Sequence, residues 1–177
     1  MAISEPKVPQ TEADRSPIAV HKLGHVVYEV SDMERSVKFW TEVMGFKVSD
    51  VNEWGMVFLR CAQDHHTIAL KEVKGLNRPA KDQGLQLDHM AFAVDSLETL
   101  FAAREYLKRH DIPIVFEGRR GPGCNIGVEF LDPDGYLIEI YWGMDQIGPD
   151  GRSRPAEQFR RARSLEEAVA NPLPERW

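Results

Sequence analysis

Two eight-residue stretches of this chain carry one pattern. LGHVVYEV (23–30) and LDHMAFAV (87–94) set Leu23 on Leu87, His25 on His89 and Val30 on Val94. Each reads as a β-strand, with side chains alternating between two faces. Each is followed by residues able to cap a helix: Ser31 or Asp32 in the first copy and Ser96 in the second. After the first helix, MERSVKFWTEVM, which Gly45 is placed to end, come three strand-like runs, FKVSDV, WGMVFLRC and HHTIALKEV. After the second, which should run to about His110, come IPIVFEG, IGVEFL and YLIEIYW, the last two joined by the turn Asp132-Pro133-Asp134-Gly135. The order β-α-β-β-β thus occurs twice. The fold class is α+β: two fused βαβββ modules curling into a half-open mixed-sheet cup, helices outside. We expect module one over 21–73, a linker over 74–86 and module two over 87–142. Residues 1–20 read as a flexible arm, and 143–177 as a loop followed by a helix from about Pro155 to Ala170.

Composition narrows the function classes. Of 177 residues, 42% are hydrophobic and 28% charged, an ordinary balance for a chain that buries one core. The net charge of −6 gives no electrostatic footprint for nucleic acid. The basic run Arg160, Arg161 and Arg163 lies among Glu157, Glu166 and Glu167, as a solvated helix face does. Cys61 and Cys124 form no closely spaced pair, so no disulfide framework is expected and the cytoplasm is the default compartment. The first residues lack a signal-peptide apolar run, and no stretch has the length of a membrane span.

Three residues break the apolar pattern where chemistry could use them. His25 and His89 stand at the same register of the two repeats, which a pseudo-twofold pairing would bring together. Glu139 interrupts the apolar strand YLIEIYW, and a carboxylate buried there needs a partner. Two imidazoles and one carboxylate with open positions suit non-heme Fe(II), and also Mn, Ni, Co or Zn. A central metal held by His25, His89 and Glu139 is the expectation.

The paired LxH strand openings, the repeated βαβββ unit and the ending DPDGYLIEIYW resemble the vicinal oxygen chelate superfamily over about residues 21–142. That group includes glyoxalase I, epimerases, bleomycin- and fosfomycin-resistance proteins and type I extradiol dioxygenases. The likeness is greatest to one-domain extradiol dioxygenases, and HHTIAL (65–70) carries it. There the resemblance implies that His66 lies beside the metal as an acid–base group, with His65 on the other face. Matching HTIAL to GYLIE sets Leu70 opposite Glu139, where glyoxalase I has a fourth ligand. Leucine cannot ligate, which leaves room for a bidentate substrate and dioxygen.

The resemblance therefore implies an Fe(II)-dependent enzyme that opens the ring of a small aromatic diol with dioxygen, working as a homodimer. The chain departs from the pattern at Glu129, where a tyrosine is usual, and at Arg119 and Arg120, where a loop histidine is common. Those arginines suit a substrate carboxylate. The alternatives are a redox-neutral glyoxalase- or epimerase-like isomerase, with Glu129 as candidate base, and a metal-free small-molecule-binding protein.

Overall fold

A computed structural model describes residues 20–80, 83–149 and 151–175; the N-terminal arm expected over 1–20 lies outside it except for Val20. The two modules form two four-stranded mixed sheets. In module one, β1 (Val26–Val30), α1 (Met33–Lys38), β2 (Lys47–Val51), β3 (Val57–Arg60) and β4 (Ile68–Glu72) give the order β1-β4-β3-β2. Module two repeats it with β5 (His89–Ala93), α2 (Leu97–Arg109), β6 (Ile114–Arg119), β7 (Ile126–Leu131) and β8 (Leu137–Trp142), in the order β5-β8-β7-β6. In each sheet the first and last strands are parallel, and the other pairs are antiparallel.

Local chemistry sets the helix bounds. The Asp32 and Ser96 side chains accept from the backbone N–H of Arg35 and Thr99, capping α1 and α2. The first helix is not uniform: after Lys38 it widens into a π-helical stretch, Phe39–Val43, and ends at Gly45 with φ +70°. The widened turn carries Phe39 and Trp40 into the core. Trp40 is fully buried and packs edge-on against Tyr28 of β1 and Phe92 of β5, so one side chain joins the two modules. Tyr28, Val30, Ile68 and Leu70 of one sheet and Met90, Val128, Phe130 and Ile138 of the other share that core with the helices. The opposite faces carry the histidines and remain open: Val27 is 47% exposed, and His25, His89 and Ala91 are exposed.

The strand registers correct one alignment. Val27 pairs with Ala69 in module one as Ala91 pairs with Glu139 in module two. Ala69, not Leu70, is thus the counterpart of Glu139; Leu70 pairs with Tyr28 and is fully buried in the core. Alanine offers no donor either, so module one has no carboxylate to match Glu139.

The C-terminal segment crosses the outer edge of module two. Arg119 and Ala162 exchange backbone hydrogen bonds of 3.0 and 2.9 Å. This extended contact, with Ser164 as the N-cap, confines α3 to Leu165–Ala170; residues 156–158 form one turn of 3-10 helix. The helix is shorter than the 155–170 span expected. Among the described residues no helix is long and apolar enough to cross a membrane, and both cysteines are free.

The turn between β7 and β8 bolts module two onto module one. Asp134 accepts from Ser31 Oγ at 2.5 Å and from Arg35 Nη2 at 2.7 Å. Asp132 is 5% exposed and accepts from the backbone N–H of Tyr136 at 2.8 Å and of Asp134 at 2.9 Å, while the Tyr28 hydroxyl donates to it at 3.3 Å. Burial, the largest cause, pushes its carboxyl from 3.8 up to about 6; the two backbone donors pull the other way. The folded chain therefore binds this proton more tightly than the unfolded chain does. The Asp132 contribution to stability is intact below about pH 4 and is lost as pH rises through about 6. Asp132→Asn keeps an acceptor for both backbone donors and carries no charge. Its stability in urea should gain on wild type by roughly 1–3 kcal/mol between pH 4.5 and 7.5, the scale of a shift of about two pKa units. Parallel pH–stability curves would contradict this account.

Candidate metal centre

His89 opens β5, and Glu139 sits on the adjacent β8 opposite Ala91, on the same open face. His89 Nε2 lies 3.6 Å from Glu139 Oε2. Two donors bound about 2.1 Å from one ion are roughly 3.0–3.4 Å apart, so the pair stands slightly wider than two ligands of one cation and a small side-chain shift would close it. The other atoms of both residues are held. His89 Nδ1 is 2.8 Å from Asp88 Oδ2, an arrangement in which Nδ1–H donates to the carboxylate and leaves the Nε2 lone pair facing Glu139. Asn125 Nδ2 donates to Glu139 Oε1 at 2.7 Å. Burial, the largest effect, raises the Glu139 pKa. Gly127 makes room for the carboxylate: a Cβ there would lie 2.7 Å from Glu139 Oε1.

This pair lies in a cavity of about 590 Å³ on the open face of module two. Glu129 lines it on β7, directly across from Glu139. Arg120 neutralises Glu129 through a bidentate pair, Nε to Oε1 at 2.5 Å and Nη2 to Oε2 at 2.6 Å, and its guanidinium lies 3.9 Å over the Phe116 ring.

The other expected residues fall elsewhere. His25 sits just before β1 with its ring centroid 4.5 Å from that of His66. His66 also packs edge-on against Phe58 at 5.0 Å. His65 does not turn to the far face: its Nδ1 is 3.1 Å from His66 Nδ1, and its ring also contacts Phe58. Burial, with His25 and His65 adding, lowers the His66 pKa. Arg119, expected beside Arg120 at the cavity, is 4% exposed and donates instead to the backbone carbonyls of Arg160, Ala168 and Asn171.

The structure thus brings His89 together with Glu139, and His25 with His66. It does not bring the three expected ligands together within one chain: among the described residues no group of three or more His, Cys, Asp or Glu side chains is placed to hold a metal. Asp88, Asn125 and Gly127 were not singled out from sequence. Gly127 had a signal, since a glycine inside a strand often marks a close approach. Asn125, in an irregular loop, had none.

Gly127→Ala should displace the Glu139 carboxylate while leaving the strand intact. Divalent-metal affinity, measured by competition with a chromophoric chelator, should fall roughly 10- to 100-fold, the usual effect of disturbing a ligand's support. An unchanged affinity would show that Glu139 does not need the space.

Residues 22–140 match the model of the Glyoxalase/Bleomycin resistance protein/Dioxygenase superfamily. The chain is 24% identical over 133 residues to 3-methylcatechol 2,3-dioxygenase of Pseudomonas putida, covering 71% of this chain and 43% of that protein. It therefore spans less than half the length of that relative. It is 26% identical to a probable lactoylglutathione lyase of Vibrio parahaemolyticus, covering 66% of this chain and 86% of that one. Among solved structures, a glyoxalase/dioxygenase from Nostoc punctiforme superposes with a TM-score of 0.61 at 22% identity, over 76% of this chain and 99% of that one, a likeness of fold. With the repeated module, the shared strand registers and a family match over most of its length, this chain belongs to the Glyoxalase/Bleomycin resistance protein/Dioxygenase superfamily.

Proposed function

We propose that this protein is a metal-dependent ring-cleaving dioxygenase of the extradiol type, and that its metal centre is completed by a second copy of the chain. The observation that carries the metal reading is the supported His89–Glu139 pair, 3.6 Å apart in an open cavity. The missing ligand is His25. It precedes β1, an edge strand of its sheet with no second partner among the described residues, as His89 opens β5, an edge strand of the other. The far edge of module two, β6, is bridged at its end, Arg119, to Ala162. Leu23 at 79%, Val27 at 47% and Leu87 at 44% exposure lie along these edges. A twofold pairing of β1 from one protomer with β5 of its partner would cover these side chains and set His25 beside the His89–Glu139 pair. Members of this superfamily use a divalent metal, and two imidazoles with one carboxylate suit Fe(II), with Mn, Ni, Co and Zn as other fits.

Two observations favour ring cleavage over isomerisation. Glu129, the candidate base for an isomerase, is tied to Arg120 through both oxygens. Ala69 occupies the register at which module one would need a fourth donor. When bound, Fe(II) supplies acidification of a chelating diol and activation of dioxygen. The protein's part is to hold and to move protons. Asp88 and Asn125 orient the two ligands, the apolar side of the cavity takes the ring, and His66, beside His25, accepts a proton from the diol and returns it.

Two experiments test this reading. Anaerobically Fe(II)-loaded protein, given air and assorted catechols, should form yellow ring-cleavage products. His66→Ala should keep its metal while turnover falls at least roughly tenfold. No product from any catechol rejects the dioxygenase reading, and metal loss in His66→Ala makes His66 a ligand. For the shared centre, His25→Ala and Glu139→Ala should each abolish tight metal binding. Mixing the two by refolding should restore about a quarter of the wild-type metal, since half the dimers are mixed and each has one intact site. No restoration would place all three ligands in one chain.

A further inference from the structure

We propose that the Arg120–Glu129 pair sets substrate specificity: it makes the cavity wall beside the metal ligands polar, flat and neutral, so the site favours a diol with an uncharged far end. This rests on the catechol reading above.

Glu129 is nearly buried, its side chain 9% exposed, whereas that of Arg120 is 61% exposed. The carboxylate thus lies beneath the guanidinium, which faces the cavity. The pair consumes the Nε and Nη2 edge of Arg120. Phe116 covers one guanidinium face at 3.9 Å. What remains for a ligand is the other face and the Nη1 edge, which makes no hydrogen bond among the described residues. A planar ring can stack on that face, and a neutral oxygen can accept from Nη1. Val115, Pro122 and Met144 supply apolar lining nearby.

A second negative group is disfavoured by charge. Glu129 cancels Arg120, and Asp88 and Glu139 add two carboxylates to the same cavity. A divalent metal offsets the latter two, and a chelating diol brings its own negative charge. A carboxylate on the far side of the ring would then meet no uncompensated cation. The arginine that looks in sequence like a carboxylate receptor is thus already occupied by the protein's own carboxylate. Removing the Glu129 charge while keeping its shape should free Arg120 to take one from the ligand.

The test uses Zn(II)-loaded full-length protein, so binding is read without turnover. Two probes differ only at the far end of the ring: 3,4-dihydroxybenzoate and its methyl ester. Calorimetry should show wild type binding the ester at least roughly tenfold more tightly than the acid, near the lower end of the range for one charge a few ångströms away between water-like and surface dielectrics. Glu129→Gln should erase or invert that preference with metal content unchanged. Arg120→Met, which leaves Glu129 uncompensated, should widen it, and decides the matter if Glu129→Gln does not fold. Equal binding of ester and acid by wild type, or a ratio unmoved by either substitution, overturns the specificity role and leaves the dioxygenase reading standing. Failure of both probes to bind wild type defeats the catechol reading and this inference with it.

Discussion

The candidate centre turns on one electrostatic conflict: two glutamates directly opposite each other on neighbouring strands. Glu129 and Glu139 are cross-strand partners on β7 and β8. Like charges so placed destabilise a sheet, more so when half removed from water. The surroundings resolve the conflict by giving the two carboxylates different partners. Arg120 takes both oxygens of Glu129. Glu139 has one oxygen held by Asn125 and the other turned to His89, with Gly127 leaving the space. One carboxylate is neutralised by the protein, and the other is left needing a cation. That asymmetry makes Glu139, rather than its neighbour, suited to a metal.

Much of this was legible in sequence because a repeat constrains more than a motif does. The doubled LxH opening gave both histidine registers, and the apolar run around Glu139 marked it as a charge needing a partner. Errors came where a one-residue shift changes the answer. Aligning strands by their apolar letters set Leu70 against Glu139, while hydrogen-bond register sets Ala69 there. On a strand one step flips the face, and Leu70 proves to be core. Arg119 and Arg120 show the same rule: consecutive residues point to opposite sides, so one arginine holds the tail and the other lines the cavity. Sequence supplied the residue types but not which of two neighbours faced the site. The support given by Asn125 and Asp88 is a product of tertiary placement.

The tail shows how an addition outside the repeat limits what the repeat can do. Arg119 donates from both Nη atoms to three tail carbonyls, and Gly118 leaves no room for a side chain, since a Cβ would lie 2.3 Å from Ala162 O. Arg154, 6% exposed, fixes the tail start through Asp145 at 2.7 Å and the end through the Pro174 carbonyl at 2.9 Å. These buried charge-assisted bonds make the tail part of the folded unit. It bridges the end of β6 at Arg119 with the kind of backbone pairing that an edge strand offers to a passing chain. At the other edge of that sheet β5, which His89 opens, pairs with β8 alone among the described residues.

A centre divided between protomers makes metal binding and assembly one equilibrium. On the proposal above, a lone chain offers two donors, His89 and Glu139, and the third would come with the partner's β1 edge. A ligand that binds the assembled state alone stabilises that state by mass action, and assembly in turn raises the affinity for the ligand. The exposed apolar side chains along β1 and β5 supply a driving force that acts without metal, while the third donor adds one that acts only with it. Under that proposal one constraint accounts for the open histidine faces: each module would carry part of a site that the other module of the same chain does not complete.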